Sequence, residues 1–498
     1  MPNPTSGREP GSLKYSLLIA VGVAAGLYLR WRMAASGRSL WLDPAMLVWN
    51  VMQRGYGELF LRLDENQAAP YGFLCLLKAA GSLGGYSEAS LLALPFLAGC
   101  AALLLFARLA ADVLGREGAA FAVWPLALSS TAVYYAGEVK QYSLDLFATT
   151  LLLWLAWRCG AGGLEARDIR LFAAGAMLLA WFSHASLLVT AALLIVLAAA
   201  VFKTGDAAAR RSVAFWGGLV AGHHLLLYFV QMRNAAGPDL QAVHQPFFAP
   251  WPPWQDFAWF RNSLLGYFEF PLGYPGAVTL PLLGAALGLV ALRGRRLEAA
   301  LALGPLLLLL IAGLLRLYPI PTGVHDIQPR LLLFTLPCVC LLIGRGFASL
   351  VPAKRFAVAL VLLAALAYPA ASRSFGQPGY LRQDMAPLVD DLRSQLEPGD
   401  QIYVFHGAVP AFRFYVRREP IPYLAGTVGA ASEAQLRPDA AKLAAGRVWV
   451  VFSSFWSGED LIFRGILEER GERLMKHIHG GNVLELYLLR DREPGQSG

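Results

Sequence analysis

Apolar stretches of about 15–22 residues recur along the first three quarters of the chain, and a helix needs roughly that length to cross ~30 Å of hydrocarbon. They fall near residues 13–30, 88–110, 118–136, 143–158, 170–184, 186–202, 212–232, 275–292, 297–316, 330–345 and 355–371. Eleven such runs cannot share one aqueous core. With 56% of 498 residues hydrophobic and 15% charged, and a mean hydropathy of +0.49, the chain reads as a polytopic α-helical membrane protein with about 11 spans. The break at Ser183-His184 is too short for a loop and implies a tight hairpin.

The charge distribution fits that reading. Residues 1–372 hold 27 Lys/Arg against 18 Asp/Glu, and residues 373–498 hold 15 against 16. The excess of positive charge sits in short loops, so it reports topology rather than nucleic-acid binding. With the N-terminus inside, the inner loops carry Arg108 and Arg116; Arg158, Arg167 and Arg170; Lys203, Arg210 and Arg211; Arg293, Arg295 and Arg296; and Arg345, Lys354 and Arg355. Arg30, Arg32 and Arg38 run against the rule. An odd number of spans then leaves the C-terminal region outside the cytoplasm. Arg8 and Lys14 precede an apolar run with no small-residue cleavage site, so the first span reads as a retained helix rather than a signal peptide. The five cysteines, Cys75, Cys100, Cys159, Cys338 and Cys340, all lie in or beside apolar stretches and show neither a disulfide framework nor zinc spacing.

Three outer segments are long enough for structure. Residues 33–87 mix Trp41, Trp49, Tyr56 and Phe60 with charges, which suits short interfacial helices. Residues 233–274 contain Pro250-Trp251-Pro252-Pro253-Trp254, which suits an ordered loop at headgroup level. Residues 317–329 form a short Pro-containing loop. Beyond residue 373 the pattern changes. Helix signals at Asp384–Leu396, Val409–Arg417, Glu433–Ala445 and Glu459–Leu474 alternate with strand signals at Gln401–Phe405, Arg447–Phe452 and Val483–Leu489. That alternation predicts a small α/β domain, residues 373–498, with a largely parallel sheet, following a transmembrane domain of residues 1–372. No glycine-rich phosphate loop opens its helices, so no nucleotide is assigned.

Two polar clusters close apolar spans on the outer side. Asp43 follows Trp41 and precedes Pro44, which is equally the pattern of a helix N-cap and of a carboxylate at a cavity mouth. Tyr134-Tyr135-Ala136-Gly137-Glu138-Val139-Lys140-Gln141-Tyr142-Ser143-Leu144-Asp145 is the densest cluster. Continued as a helix, it would put Glu138, Tyr142 and Asp145 on one face, leaving Lys140 to meet a phosphate; a short loop with a Glu–Lys pair would look the same. Gln67-Ala68-Ala69-Pro70 precedes the second span. Arg330 opens the tenth, after His325-Asp326-Ile327-Gln328-Pro329, either reaching to headgroups or clamping a lipid phosphate. His184, His223 and His224 lack spacing to acidic partners and read as packed residues.

The order of these segments, Arg38-Ser39-Leu40-Trp41-Leu42-Asp43, Gln67-Ala68-Ala69-Pro70, Tyr134 to Ser143, Tyr318-Pro319 and Arg330-Leu331-Leu332-Leu333-Phe334, resembles the bacterial GT-C membrane glycosyltransferases. The branch is that related to protein O-mannosyltransferases and lipid A aminoarabinose transferase, and the resemblance covers the chain to about residue 345. It implies a polyprenyl-phosphate sugar donor, a cell-envelope acceptor (glycan, lipid or protein), and placement in the inner (plasma) membrane with the chemistry opposite the cytoplasm. Asp43 matches the family's first-loop Asp, the acceptor-side base. Pro44 stands where the family usually has Glu, so a second carboxylate role passes to Glu138 or is missing. Lys140 and Arg330 match basic residues near the donor phosphate. Gln67, Tyr142 and Asp145 would line the substrate site.

Such a transfer needs a base for the incoming hydroxyl and cations for the departing phosphate, which Asp43, Lys140 and Arg330 would supply. A divalent cation is possible between Asp43 and the phosphate, but the ligand set is too thin to predict one, and no metal residues are assigned. Two other classes use similar features. A lipid-linked sugar transporter would also bury charges, although no internal repeat is visible. A non-catalytic assembly protein would use the outer domain to bind a partner, with Pro44 marking a decayed site.

Overall fold

The computed structural model describes residues 10–204, 206–233, 244–320, 328–351, 355–376, 383–455 and 458–491. The chain divides into two compact units. One comprises Met1–Ser36 with Arg54–Gly379, the other Gly37–Gln53 with Tyr380–Gly498. The short segment carrying Asp43 therefore belongs with the C-terminal part.

The first unit is helical. Among the described residues eight helices are long and apolar enough to cross a membrane: Leu13–Ala34, Glu88–Leu128, Tyr142–Ala161, Ala185–Lys203, Ala207–Met232, Arg296–Leu314, Arg330–Leu350 and Phe356–Gly376. Glu88–Leu128, at 41 residues, accounts for two expected spans. Gly115 interrupts it with φ 73° and ψ 175°, a conformation glycine adopts without strain. The partners of helix Pro10–Ala34 show what the interruption does. Tyr15 bonds Glu117 and Arg30 bonds Ala127, so the second half runs parallel to that helix. Gly26, on the same helix, also packs against Leu103 of the first half. The chain reverses at Gly115. Helices Ala166–Ala180 and Thr279–Ala291 fill the remaining expected spans with 15 and 13 residues. At 1.5 Å per residue both fall short of ~30 Å.

Close approach replaces hydrophobic drive where helices meet inside a bilayer. Helix Thr279–Ala291 packs on Leu336–Leu350 so tightly that a Cβ on Gly288 would stand 2.1 Å from the Leu342 carbonyl oxygen. A larger residue there forces the helices apart. Two of the three arginines that run against the charge rule, Arg30 and Arg32, are used internally. Buried Arg30 donates to the carbonyls of Ala127 (3.2 Å) and Leu126 (3.3 Å), at the end of Glu88–Leu128. Arg32 donates to the Phe375 carbonyl (3.1 Å) at the end of Phe356–Gly376. Both place a cation on the negative end of a helix dipole.

The expected interfacial elements of residues 33–87 are helices Leu42–Gln53 and Tyr71–Leu83. The Pro/Trp-rich segment holds a helix the sequence reading did not give, Phe257–Glu269, capped by Asp256 Oδ1 accepting from Trp259 N at 2.9 Å. Residues His325, Asp326 and Ile327 lie outside the described residues, as do 234–243.

The second unit is built on a five-stranded sheet: β1 (Gln401–Val404), β2 (Leu424–Ala425), β3 (Gly446–Phe452), β4 (Gly471–His479) and β5 (Asn482–Leu489), in the order β2-β1-β3-β5-β4. The pairs β1–β2 and β1–β3 are parallel; β3–β5 and β4–β5 are antiparallel. The sheet is thus mixed rather than largely parallel. The difference lies at residues 459–474, expected as one helix. Helix Glu459–Glu468 ends before Gly471, and β4 then pairs with β5 through a hairpin at Gly480-Gly481. Val448, Trp449, Val450, Val451 and Phe452 are all buried, so β3 is covered on both faces. Tyr403, Phe405, Leu436, Val448, Val450, Phe452 and Phe463 share one core cluster.

Candidate functional site

In the membrane unit, helix Ser130–Ala136 ends at Gly137, and residues 138–141 form a turn in which Lys140 N bonds the Glu138 carbonyl at 2.7 Å. The next helix begins at Tyr142. Glu138 is therefore not on a helical face with Tyr142 and Asp145. Only the latter two share the helix, three residues apart. The turn nevertheless buries its polar groups: Glu138, Lys140, Tyr142 and Asp145 are each no more than 8% exposed. Charged groups that far from solvent need specific partners.

Lys140 has one in Gln67. Its Nζ donates to Gln67 Oε1 at 2.7 Å, joining two segments 73 residues apart. Gln67 also lines a cavity of about 220 Å³ walled by Phe60, Leu63, Leu74, Val230 and Gln231. Gln231 is buried on the π-helical turn Tyr228–Met232, a distortion frequent at functional sites. The sequence reading did not give Gln231, because nothing local distinguishes it from other residues of an apolar span.

Arg330 places its guanidinium 5.5 Å from the centre of the Tyr142 ring, within cation–π range. Tyr142 in turn meets the Tyr135 ring edge-on at 4.9 Å. Tyr318 donates to the Leu331 carbonyl (2.7 Å), fixing the turn that carries Arg330. The membrane unit thus brings Gln67 to Lys140 and Tyr142 to Arg330. A buried ammonium and a guanidinium on an aromatic face are the groups that anionic phosphate oxygens bind. His223 accepts from Trp181 Nε1 at 3.2 Å, as a packed residue does.

Asp43 lies in the other unit. Helix Leu42–Gln53 begins one residue before it, and Ala45 N bonds the Trp41 carbonyl at 2.9 Å. Asp43 is therefore inside the first turn, where the helix dipole favours a carboxylate, and is not the N-cap. The segment is held within its unit by Leu40 N donating to Tyr415 Oη (2.6 Å) and by the Arg413 guanidinium 4.5 Å from the Trp49 ring centre. Ala386 N donates to Ser39 Oγ at 2.9 Å. Helix Leu42–Gln53 offers no carboxylate or imidazole besides Asp43, so by itself it does not make a divalent-cation site. Among the described residues, the group of three whose donor atoms converge as metal ligands is elsewhere, at Asp391, His477 and His479.

No family model matches the sequence, and no curated protein matches it. Solved structures do. ArnT from Cupriavidus metallidurans in the apo state aligns over 96% of this chain and 98% of its own, with TM-score 0.54 and 13% identity. The same enzyme bound to undecaprenyl phosphate aligns over 95% and 97%, with TM-score 0.54 and 14% identity. The Archaeoglobus fulgidus oligosaccharyltransferase AglB, in a complex with Zn and sulfate, aligns over 95% of this chain and 73% of its own, with TM-score 0.54 and 14% identity. The chain has the fold of these GT-C enzymes along nearly its whole length: a polytopic helical membrane protein with a C-terminal α/β region.

Proposed function

We propose that this chain is a membrane glycosyltransferase that moves a sugar from a polyprenyl-phosphate donor to an acceptor in the cell envelope. The observation that carries the reading is two cationic groups, buried Lys140 on Gln67 and half-buried Arg330 over Tyr142, in a fold shared with an enzyme crystallised with undecaprenyl phosphate. The reading places the protein in the inner membrane, with the chemistry and the C-terminal unit on the extracytoplasmic side.

In this reaction Asp43 takes the proton of the acceptor hydroxyl as its oxygen bonds to the anomeric carbon. The bond from that carbon to the phosphate oxygen breaks, and its electron pair leaves with the polyprenyl phosphate. The leaving group gains negative charge as it departs, so Lys140 and Arg330 bind the transition state more strongly than the donor. Glu138 is the second carboxylate, in a chain where Pro44 follows the base. Gln67, Tyr142 and Asp145 orient the donor and these cations.

The test is transfer itself. Purified protein in nanodiscs is incubated with a panel of radiolabelled polyprenyl-phosphate sugars and extracted envelope acceptors. Label recovered on an acceptor supports the proposal. Label that stays on the lipid, while the intact lipid-linked sugar crosses sealed vesicles, would identify a transporter instead.

A further inference from the structure

The C-terminal unit carries a second cluster of chemistry-bearing groups. Strand β4 lies at one edge of the sheet, and His477 and His479, two residues apart, project from the same face of it. Helix Met385–Gln395 packs on β4 and β5 and brings Asp391 onto that face. His477 Nδ1 lies 2.6 Å and His479 Nε2 3.0 Å from the same atom, Asp391 Oδ2. All three donor atoms fall within 4.8 Å of one another. The other carboxylate oxygen accepts from Gln395 Nε2 at 2.6 Å, one helical turn along.

We propose that Asp391, His477 and His479 bind a borderline divalent transition metal, of the class of Zn²⁺, Co²⁺ or Ni²⁺. Two imidazoles with one carboxylate suit these ions, whereas Mg²⁺ and Ca²⁺ require oxygen donors. The spacing is close to what coordination needs. Metal–ligand bonds of about 2.0–2.1 Å at tetrahedral angles separate donor atoms by ~3.3 Å, so the two N···O distances open by less than ~1 Å. The side chains have room to do so, being 36% (His477), 26% (His479) and 21% (Asp391) exposed. Each neutral imidazole would hold the ion through the lone pair of the ring nitrogen nearest Asp391, with its N–H on the other ring nitrogen. Gln395 supplies the outer hydrogen bond that ligating carboxylates usually have. Three protein donors leave a coordination position for water on the open side.

The consequence is mechanical. The ion ties helix Met385–Gln395 to an edge strand that otherwise holds one neighbour, β5. The first turn of that helix is where Ala386 N bonds Ser39, just ahead of Asp43. The site is a clip for the unit that carries Asp43, and it stands whether or not the transferase reading does.

The experiment uses the full-length protein in nanodiscs, stripped with chelator and then titrated with Co²⁺ or Zn²⁺ alone. Wild type should retain one more equivalent at micromolar free metal than the His477→Gln/His479→Gln variant, with visible Co²⁺ absorption bands absent from that variant. Zn²⁺ should raise the Tm of wild type and leave that of Asp391→Asn unchanged. A folded wild type that takes up no metal overturns the proposal by itself, whatever the variants do. Equal stoichiometry and equal Tm shifts in wild type and variants also overturn it, by placing the metal elsewhere.

Discussion

Replacing Lys140 by Met keeps the length and shape of the side chain and removes its charge. Two effects are expected, and they can be separated. The first is on stability. The substitution takes away the 2.7 Å bond to buried Gln67, and loss of one partner of a buried hydrogen bond costs about 1–3 kcal/mol. The second is on the donor phosphate. A hydrogen bond to a charged group is worth about 1.5–3 kcal/mol, or roughly 10- to 150-fold in affinity at about 1.4 kcal/mol per tenfold. The double variant Gln67→Met/Lys140→Met makes both positions apolar, which is nearly neutral for stability when shape is kept. It should therefore recover much of the lost Tm while binding phosphate as poorly as Lys140→Met alone. Thermal unfolding and equilibrium binding of undecaprenyl phosphate to purified protein read the two effects independently. If both variants bind it within about two-fold of wild type, Lys140 is a structural residue and the phosphate assignment is wrong.

Two further outcomes bear on the C-terminal unit. Asp439 is buried and accepts from Tyr403 Oη (2.9 Å), Thr427 N (2.7 Å), Thr427 Oγ1 (2.8 Å) and Lys442 Nζ (2.6 Å). Burial raises its pKa, but these bonds outweigh burial and hold the carboxyl below its ordinary 3.8. A depressed carboxyl pKa stabilises the fold above the unfolded-state value, and that contribution disappears as pH falls through the folded-state value. Asp439→Asn should accordingly lower the Tm of the full chain at pH 7, with the gap to wild type narrowing below about pH 4; a gap independent of pH would show that the charge is irrelevant. For topology, Val428 is 90% exposed, so Val428→Cys should react with an impermeant maleimide in intact spheroplasts. Labelling only after lysis would put the unit in the cytoplasm.

What the sequence made legible, and what it did not, follows from the range of the interactions. The apolar runs map onto helices because bilayer thickness acts on each run separately. Even the reversal at Gly115 could be read from its flanking Arg108 and Arg116. Of the two arrangements open for Glu138, a helical face shared with Tyr142 and Asp145 or a short loop, the fold takes the loop, because residues 138–141 turn between two helices. The first four residues of strand Gly471–His479 fall in the helix expected over Glu459–Leu474 and the rest in no expected element, although Gly471 and the Gly480-Gly481 turn mark its two ends. Other features have no local signature. Asp391 meets His477 and His479 across 86 and 88 residues, and Ser39 meets Ala386 across 347. Only the folded chain shows that the Asp43 segment belongs with the C-terminal unit.

The central claim is that Asp43 is the base for sugar transfer from a polyprenyl-phosphate donor, and the substitution Asp43→Asn tests it most directly. It keeps the size of the side chain at the first turn of helix Leu42–Gln53 and removes the proton acceptor. Turnover should be followed with radiolabelled polyprenyl-phosphate sugar and the acceptor identified in the transfer assay, alongside undecaprenyl phosphate binding and Tm. Loss of a general base typically lowers rate by ~10²–10⁴-fold, with phosphate binding retained. A folded Asp43→Asn protein that transfers sugar within a few-fold of wild type would contradict the account and leave Glu138 as the carboxylate to examine.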